Sequence, residues 1–197
     1  MFVPNQVHFW GLFSHPHLEW NCINHEKNNI GQLALIRLAI LATIPTISFW
    51  MGLSHTGWSL SGVEFNKIPL SQSYLMAIGF YIAICVATLI MTYCTYWMEK
   101  VFGTKTSFKR CLLFITYTAT PMYLAAIIGF IPIVWLTVLV LMGAVFYSLY
   151  LLYVGIPIYM NIDEGKGFIV ATSIVGAGLC TLILFIVATI LLWSIGF

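Results

Sequence analysis

"IVWLTVLVLMGAVFYSLYLLYVGIPIY", Ile133 to Tyr159, runs for twenty-seven residues without one charged side chain. Coiled as an α-helix it reaches about 40 Å, more than the roughly 30 Å of hydrocarbon in a bilayer. A barrel strand would be shorter and would alternate polar with apolar positions, which this run does not do. Four further runs of the same kind lie around it: Leu33 to Leu53, Ser73 to Trp97, Leu112 to Phe130 and Phe168 to Trp193. The fold class that follows is an all-α integral membrane protein with five transmembrane helices. Residues 1–32 form an N-terminal arm, and residues 33–197 form one five-helix membrane domain.

Composition agrees. Charged residues are 7% of the chain, hydrophobic ones 61%, and mean hydropathy is +0.98. A soluble domain carries about a quarter charged residues, so this chain could not cover its own surface with polar groups. A net charge of +2 is too small to point to a nucleic-acid partner. Cys22, Cys85, Cys94, Cys111 and Cys180 show no paired spacing, and those inside apolar runs read as small hydrophobes. The mixed, polar first thirty residues are not a cleavable signal peptide, so the first span is expected to act as its own insertion signal.

Basic residues set the expected orientation. Lys27, Arg37, Lys100, Lys105, Lys109, Arg110 and Lys166 fall on one side of the five spans, and Lys67 alone falls on the other. The N-terminus is therefore expected in the cytoplasm and the C-terminus outside.

Prolines interrupt the third and fourth spans. Pro121 removes a backbone bond in the middle of the third, where Thr116, Thr118 and Thr120 are expected to satisfy the groups a kink frees. Pro157 does the same near the end of the fourth, and Pro132 marks the tight turn between the two. On the fifth span Thr172, Gly176 and Cys180 recur every four residues, a spacing that permits close helix approach to a neighbouring span or to a second copy.

Little catalytic chemistry is on offer. The centres of spans two to five hold no Asp, Glu, Lys, Arg or His, and no nucleophile–base or phosphate-loop motif occurs. No enzyme activity and no cofactor are expected. Arg37 is the one charge set into a span. It is read either as a partner for Glu99, Glu164 or a lipid phosphate, or as a side chain that snorkels to the cytoplasmic interface, the second being favoured. Hydroxyls give the remaining polarity. Thr116, Thr120 and Tyr123 share a face beside Pro121, and Tyr147, Tyr150, Tyr153 and Pro157 share one on the fourth span. Together they either line a cavity between spans three and four or pack through interhelical bonds.

The arm carries "SHPHLEWNCINHE", Ser14 to Glu26, the polar-dense part of the chain. Proline opens a helix well, so one is expected from Pro16, with Trp20 and Ile23 on a narrow apolar face. Lying in the cytoplasmic interface, this amphipathic helix would anchor through Trp20 and Ile23. The alternative is a partial metal site from Glu19, Cys22 and Glu26, completed by another histidine or another copy. The histidines themselves do not converge, since His17 and His25 point about 80° apart on a helix.

Four stretches in register carry a family resemblance: "WGLFSHPHLEW" from Trp10, "YTATPMYL" from Tyr117, "PIVWL" from Pro132 and "YLLYVGIPIYMNI" from Tyr150. They resemble the bacterial branch of the Yip (Ypt-interacting protein) domain family, the YohC-type inner-membrane proteins. The resemblance implies a five-span helical domain in the bacterial inner membrane. Eukaryotic members act in vesicle trafficking with Rab-type GTPases through longer cytosolic N-terminal regions, so a GTPase partner is not carried over to this chain. The bacterial branch bears a transporter label, and the family offers no catalytic motif to transfer. Three functions are ranked: a membrane-organising scaffold whose partners are membrane lipid and further copies of itself, a small-solute or ion passage between spans three and four, and a metal-responsive membrane protein.

Overall fold

A computed structural model describes residues 9–25, 30–57, 69–103, 106–131 and 133–194. Two short helices come first, α1 (Phe9–Ser14) and α2 (Pro16–His25). Five long ones follow: α3 (Ile30–Met51), α4 (Leu70–Val101), α5 (Phe108–Ala125), α6 (Val134–Met160) and α7 (Glu164–Ser194). A π-helical turn, Gly52–Thr56, extends α3, and a 3-10 turn, Ala126–Phe130, extends α5. The five long helices are apolar and long enough to cross a membrane, at the places the apolar runs predict.

α5 is the hub. It packs against α3, α4 and α6, while α7 closes the ring by touching α4 and α6. Of its membrane window 61% is enclosed by protein, against 11% for α4. The sequence of α5 explains the position. Its threonines and tyrosines are poor lipid-facing residues, whereas α4 presents Leu75, Ile78, Ile82 and Val86 outward. In a bilayer apolar burial drives little association, so the helix with the smallest lipid-compatible surface takes the centre.

Those hydroxyls do not repair the proline kink as expected. Thr116, Thr118 and Thr120 donate to the carbonyls of Leu112, Phe114 and Thr116 respectively. Pro121 frees the carbonyl of Tyr117, four residues before it, and none of the three bonds lands there. Each of these hydroxyls reaches back four residues within α5, so that of Thr120 passes the Tyr117 carbonyl and bonds Thr116.

α6 ends in a left-handed cap at Asn161 (φ 50°, ψ 49°), where the Ile162 N–H donates to the Pro157 carbonyl at 3.2 Å. Asparagine tolerates this conformation better than most residues. The cap lets the chain turn directly into α7.

The arm departs most from expectation. α2 is present over the predicted residues, but its apolar face meets protein. Trp20 and Ile23 are fully buried, as is Leu12 of α1. α2 packs along α6. The Tyr147 hydroxyl donates to the Leu12 carbonyl at 2.9 Å, and the Asn24 amide donates to the Ile158 carbonyl at 3.2 Å. Tyr147 and Ile158 are about 16 Å apart along a helix axis, and α2 is itself about 15 Å long. The arm therefore lies beside α6 and parallel to it, not across its end. An apolar stripe two residues wide reads identically whether lipid or protein covers it, so the sequence could not separate these outcomes.

Gly155 of α6 makes the close approach work. A methyl group there would lie 2.7 Å from Cε2 of Trp20 and 2.8 Å from Cε2 of Phe114. Both rings are fully buried and have no room to retreat. Gly155→Val should therefore lower the thermal unfolding midpoint in detergent by several degrees, whereas Gly143→Val, where an added Cβ meets nothing within 4 Å, should not. Equal effects from the two would show that the Trp20 contact is not limiting.

Candidate functional site

The arm and the end of the bundle that carries Lys100, Lys109, Arg110 and Lys166 (the basic end) form one structure. At its centre the Trp20 ring lies 4.8 Å from Phe114, 6.3 Å from Tyr117 and 6.2 Å from Tyr159, the last two edge-on. Phe114 and Tyr159 are themselves 5.1 Å apart. Edge-on and tilted ring pairs at such distances are attractive beyond simple area burial. Two guanidinium groups flank the cluster. Arg37 lies 4.2 Å over the Tyr117 ring and Arg110 lies 5.1 Å over Tyr159.

Polar bonds tie the arm to this cluster. Arg110 donates through Nη2 to the Asn24 carbonyl at 2.9 Å and also to the Asn24 side-chain oxygen. The Tyr159 hydroxyl donates to the Arg110 carbonyl at 3.0 Å. Deeper in, Phe13 stacks on Tyr147 at 5.2 Å. Beside Arg110, the buried Glu99 carboxylate of α4 is faced by Thr106 and Cys111. The basic end is thus closed by a continuous set of contacts from α2 through α6 and α5 to α4.

The hydroxyl residues expected to line a cavity are placed apart. Thr116, Thr120, Pro121 and Tyr123 are enclosed in α5's surroundings, with Tyr123 bonded to Thr88 of α4 at 2.8 Å. Tyr147 serves α1, and Tyr153 pairs with Thr172 of α7 at 3.0 Å. Tyr150 is exposed on the outer surface of the bundle. Pro157 packs where Gly167 of α7 passes, so closely that a methyl group added to that glycine would lie 3.1 Å from the proline ring. These residues share helical faces without sharing a space: Thr116 and Thr120 bond back to their own helix, Tyr123, Tyr147 and Tyr153 each bond to a different neighbour, and Tyr150 faces outward.

Of the metal candidates, Glu19 lies against Gly11 of α1, Cys22 is exposed, and Glu26 lies outside the described residues. Among the described residues no three His, Cys, Asp or Glu side chains come together. Arg37 is partly exposed. It sits over Tyr117, seven residues inside α3 or about 10 Å from its start. Asn24, Arg110, Tyr159 and Gly155 were not singled out as a group by the sequence, since their association depends on three different helices meeting.

Residues 10–194 match the family model described as the Yip1 domain. The chain belongs to the Yip1 domain family. The matched stretch begins inside α1, so it takes in the arm together with the five spans. The chain is 32% identical over 190 residues to the protein called inner membrane protein YohC of Escherichia coli strain K12, covering 96% of this chain and 97% of that one. The same identity and coverage hold for the protein of that name from Escherichia coli O6:H1 strain CFT073. No solved structure matches.

Replacing Trp20 by Ala should cost about 3–5 kcal/mol, because a buried indole leaves a cavity that rigid helices fill poorly. Asn24→Ala should cost less, about 1 kcal/mol. The order is checked by thermal unfolding, and limited proteolysis checks the location. The Trp20→Ala arm should be cut well before the spans are, while wild-type and Asn24→Ala arms stay protected. An arm equally protected without Trp20 would remove the indole as the docking element.

Proposed function

We propose that this Yip1-domain protein is a non-enzymatic, multi-pass protein of the bacterial inner membrane that organises lipid and further copies of itself around its bundle surface. The basic end lies in the cytoplasm, with the N-terminus on that side and the C-terminus outside, as the excess of Lys and Arg on that end favours. The inner-membrane assignment follows from the name of the Escherichia coli relatives.

The observation that carries the reading is the contrast between a filled interior and an uncovered exterior. Inside, Trp20 plugs the space between α5 and α6, and Thr116, Thr120 and Tyr123 of α5 are engaged in bonds to protein. Outside, α4 leaves most of its length uncovered, and α7 leaves Leu179, Leu182 and Ile183 exposed. A conducting protein needs a polar route past its middle, while an organising protein needs surface.

The test places single cysteines at Thr120 and Tyr150 in a background lacking the native ones, and treats intact and inverted vesicles with a membrane-impermeant thiol reagent. Neither position should react from either side until the protein is denatured. Reaction at Thr120 would overturn this proposal in favour of a solute passage along α5. Native mass spectrometry after gentle extraction should report an oligomer that retains lipid and carries no metal. A metal in whole-number ratio to the chain would overturn the organising role in favour of a metal-responsive one.

A further inference from the structure

Cations at the basic end sit over rings. Arg37 lies over Tyr117, Arg110 over Tyr159 and Lys100 over Tyr96, at 4.2, 5.1 and 4.5 Å. A ring face attracts a cation through its quadrupole and leaves the charge uncancelled. Arg110 also donates to Asn24 and stands beside the buried Glu99. Arg37 has no such company. Among the described residues its guanidinium meets no carboxylate and no hydrogen-bond acceptor.

The place of Arg37 on α3 makes this costly. It is seven residues inside the helix, about 10 Å from the start. The row beside it, Ala34, Leu38 and Leu41, is buried in the core. The row on its other side, Ile36, Ile40 and Ile47, is exposed. Arg37 itself is partly exposed and marks the line between the two. An exposed apolar row on a spanning helix faces acyl chains, so the guanidinium borders lipid. The fully buried Tyr117 ring covers one side of it, and its N–H donors remain. Hydrocarbon offers those donors nothing, and an unmatched charge at that depth is unfavourable.

We propose that Arg37 binds the phosphodiester of an anionic phospholipid, whose chains lie along Ile36, Ile40 and Ile47. Three features select this occupant. The cation is uncompensated, so a headgroup of net negative charge neutralises it where a zwitterionic one does not. The planar guanidinium presents donors to two phosphate oxygens at once. The exposed residues beside it are apolar, which suits a ligand that brings its own acyl chains better than it suits a soluble anion. The phosphate is drawn inward from the start of α3, and local thinning of the bilayer accommodates it. Tyr117 meets Trp20 as well as Arg37, so the ring against which the arm docks also backs the lipid site. This inference rests on the membrane-organising reading, to which it gives a lipid class and a residue. It does not rest on the orientation of the termini.

Delipidated protein in detergent is titrated with phosphatidylglycerol or with phosphatidylcholine of the same chains, and bound lipid is counted by native mass spectrometry. The wild type should hold phosphatidylglycerol about tenfold more tightly than phosphatidylcholine. Arg37→Gln should reduce that preference to about twofold or less, and Arg37→Lys, which keeps the charge without the fork, should fall between. Lys166→Gln removes an exposed positive charge from α7 at the same end and should behave as the wild type. Thermal unfolding and protection of the arm, measured in parallel, establish that each variant is folded. Where Arg37→Gln does not fold, Arg37→Lys carries the comparison. A preference unmoved by the Arg37 variants, or lowered as much by Lys166→Gln, would overturn the site. Inorganic phosphate is titrated without lipid, and an adduct as tight as phosphatidylglycerol would overturn the lipid in favour of a soluble anion. An oligomer that retains lipid without any preference for phosphatidylglycerol overturns the Arg37 site alone. A lipid-free monomer overturns the organising reading with it.

Discussion

The structure depends on one indole. Trp20 belongs to a ten-residue helix that would be too short to hold its own shape in water, yet its ring is seated among Phe114, Tyr117 and Tyr159 with Gly155 opened to receive it. The packing term dominates the polar ones. Interhelical hydrogen bonds inside membranes average about 0.6 kcal/mol, whereas a buried indole contributes several times that through its contacts. The bonds from Asn24, Arg110 and Tyr147 fix the register of the arm, and the ring holds it in place.

Once the arm is docked, the bundle has a different character at its two ends. At the basic end α2, α5, α6 and α4 are linked through rings, guanidinium groups and the buried Glu99. Towards the other end α3 stacks on α4 through aromatic rings, Phe49 on Phe80 and Trp50 on Tyr74, and packs against the 3-10 turn that follows α5. Polar side chains at membrane depth are costly unless satisfied, so their concentration on one side marks where specific chemistry is held.

Family membership and geometry meet in the arm. The Yip1 domain match takes in α1 and α2, and the structure gives the physical reason that such a segment would travel with the five spans. Without it, Gly155 and the rings around it would face an unfilled groove. The relatives' name contributes a membrane and no mechanism. A mechanism has to come from surfaces and depths, where the filled interior and the uncovered α4 and α7 are the informative features.

The sequence by itself determined the fold class, the number of spans and the helical start at Pro16. Each follows from local rules: the length of uncharged runs, the missing N–H of proline, and the poor fit of charge to hydrocarbon. It also exposed the residues that matter in the arm, since Trp20 and Ile23 were marked as a face. Only the tertiary structure decided what that face meets. A stripe of two apolar residues has the same pattern under lipid and under protein, and the choice rests on Gly155, which lies 135 positions further along the chain. The same holds for the hydroxyls. Their spacing placed Thr116, Thr120 and Tyr123 on one face and Tyr147, Tyr150 and Tyr153 on another, but helical periodicity describes one helix at a time. Which partner each hydroxyl meets is fixed by how the other helices pack around α5 and α6, and that arrangement is a property of the whole chain.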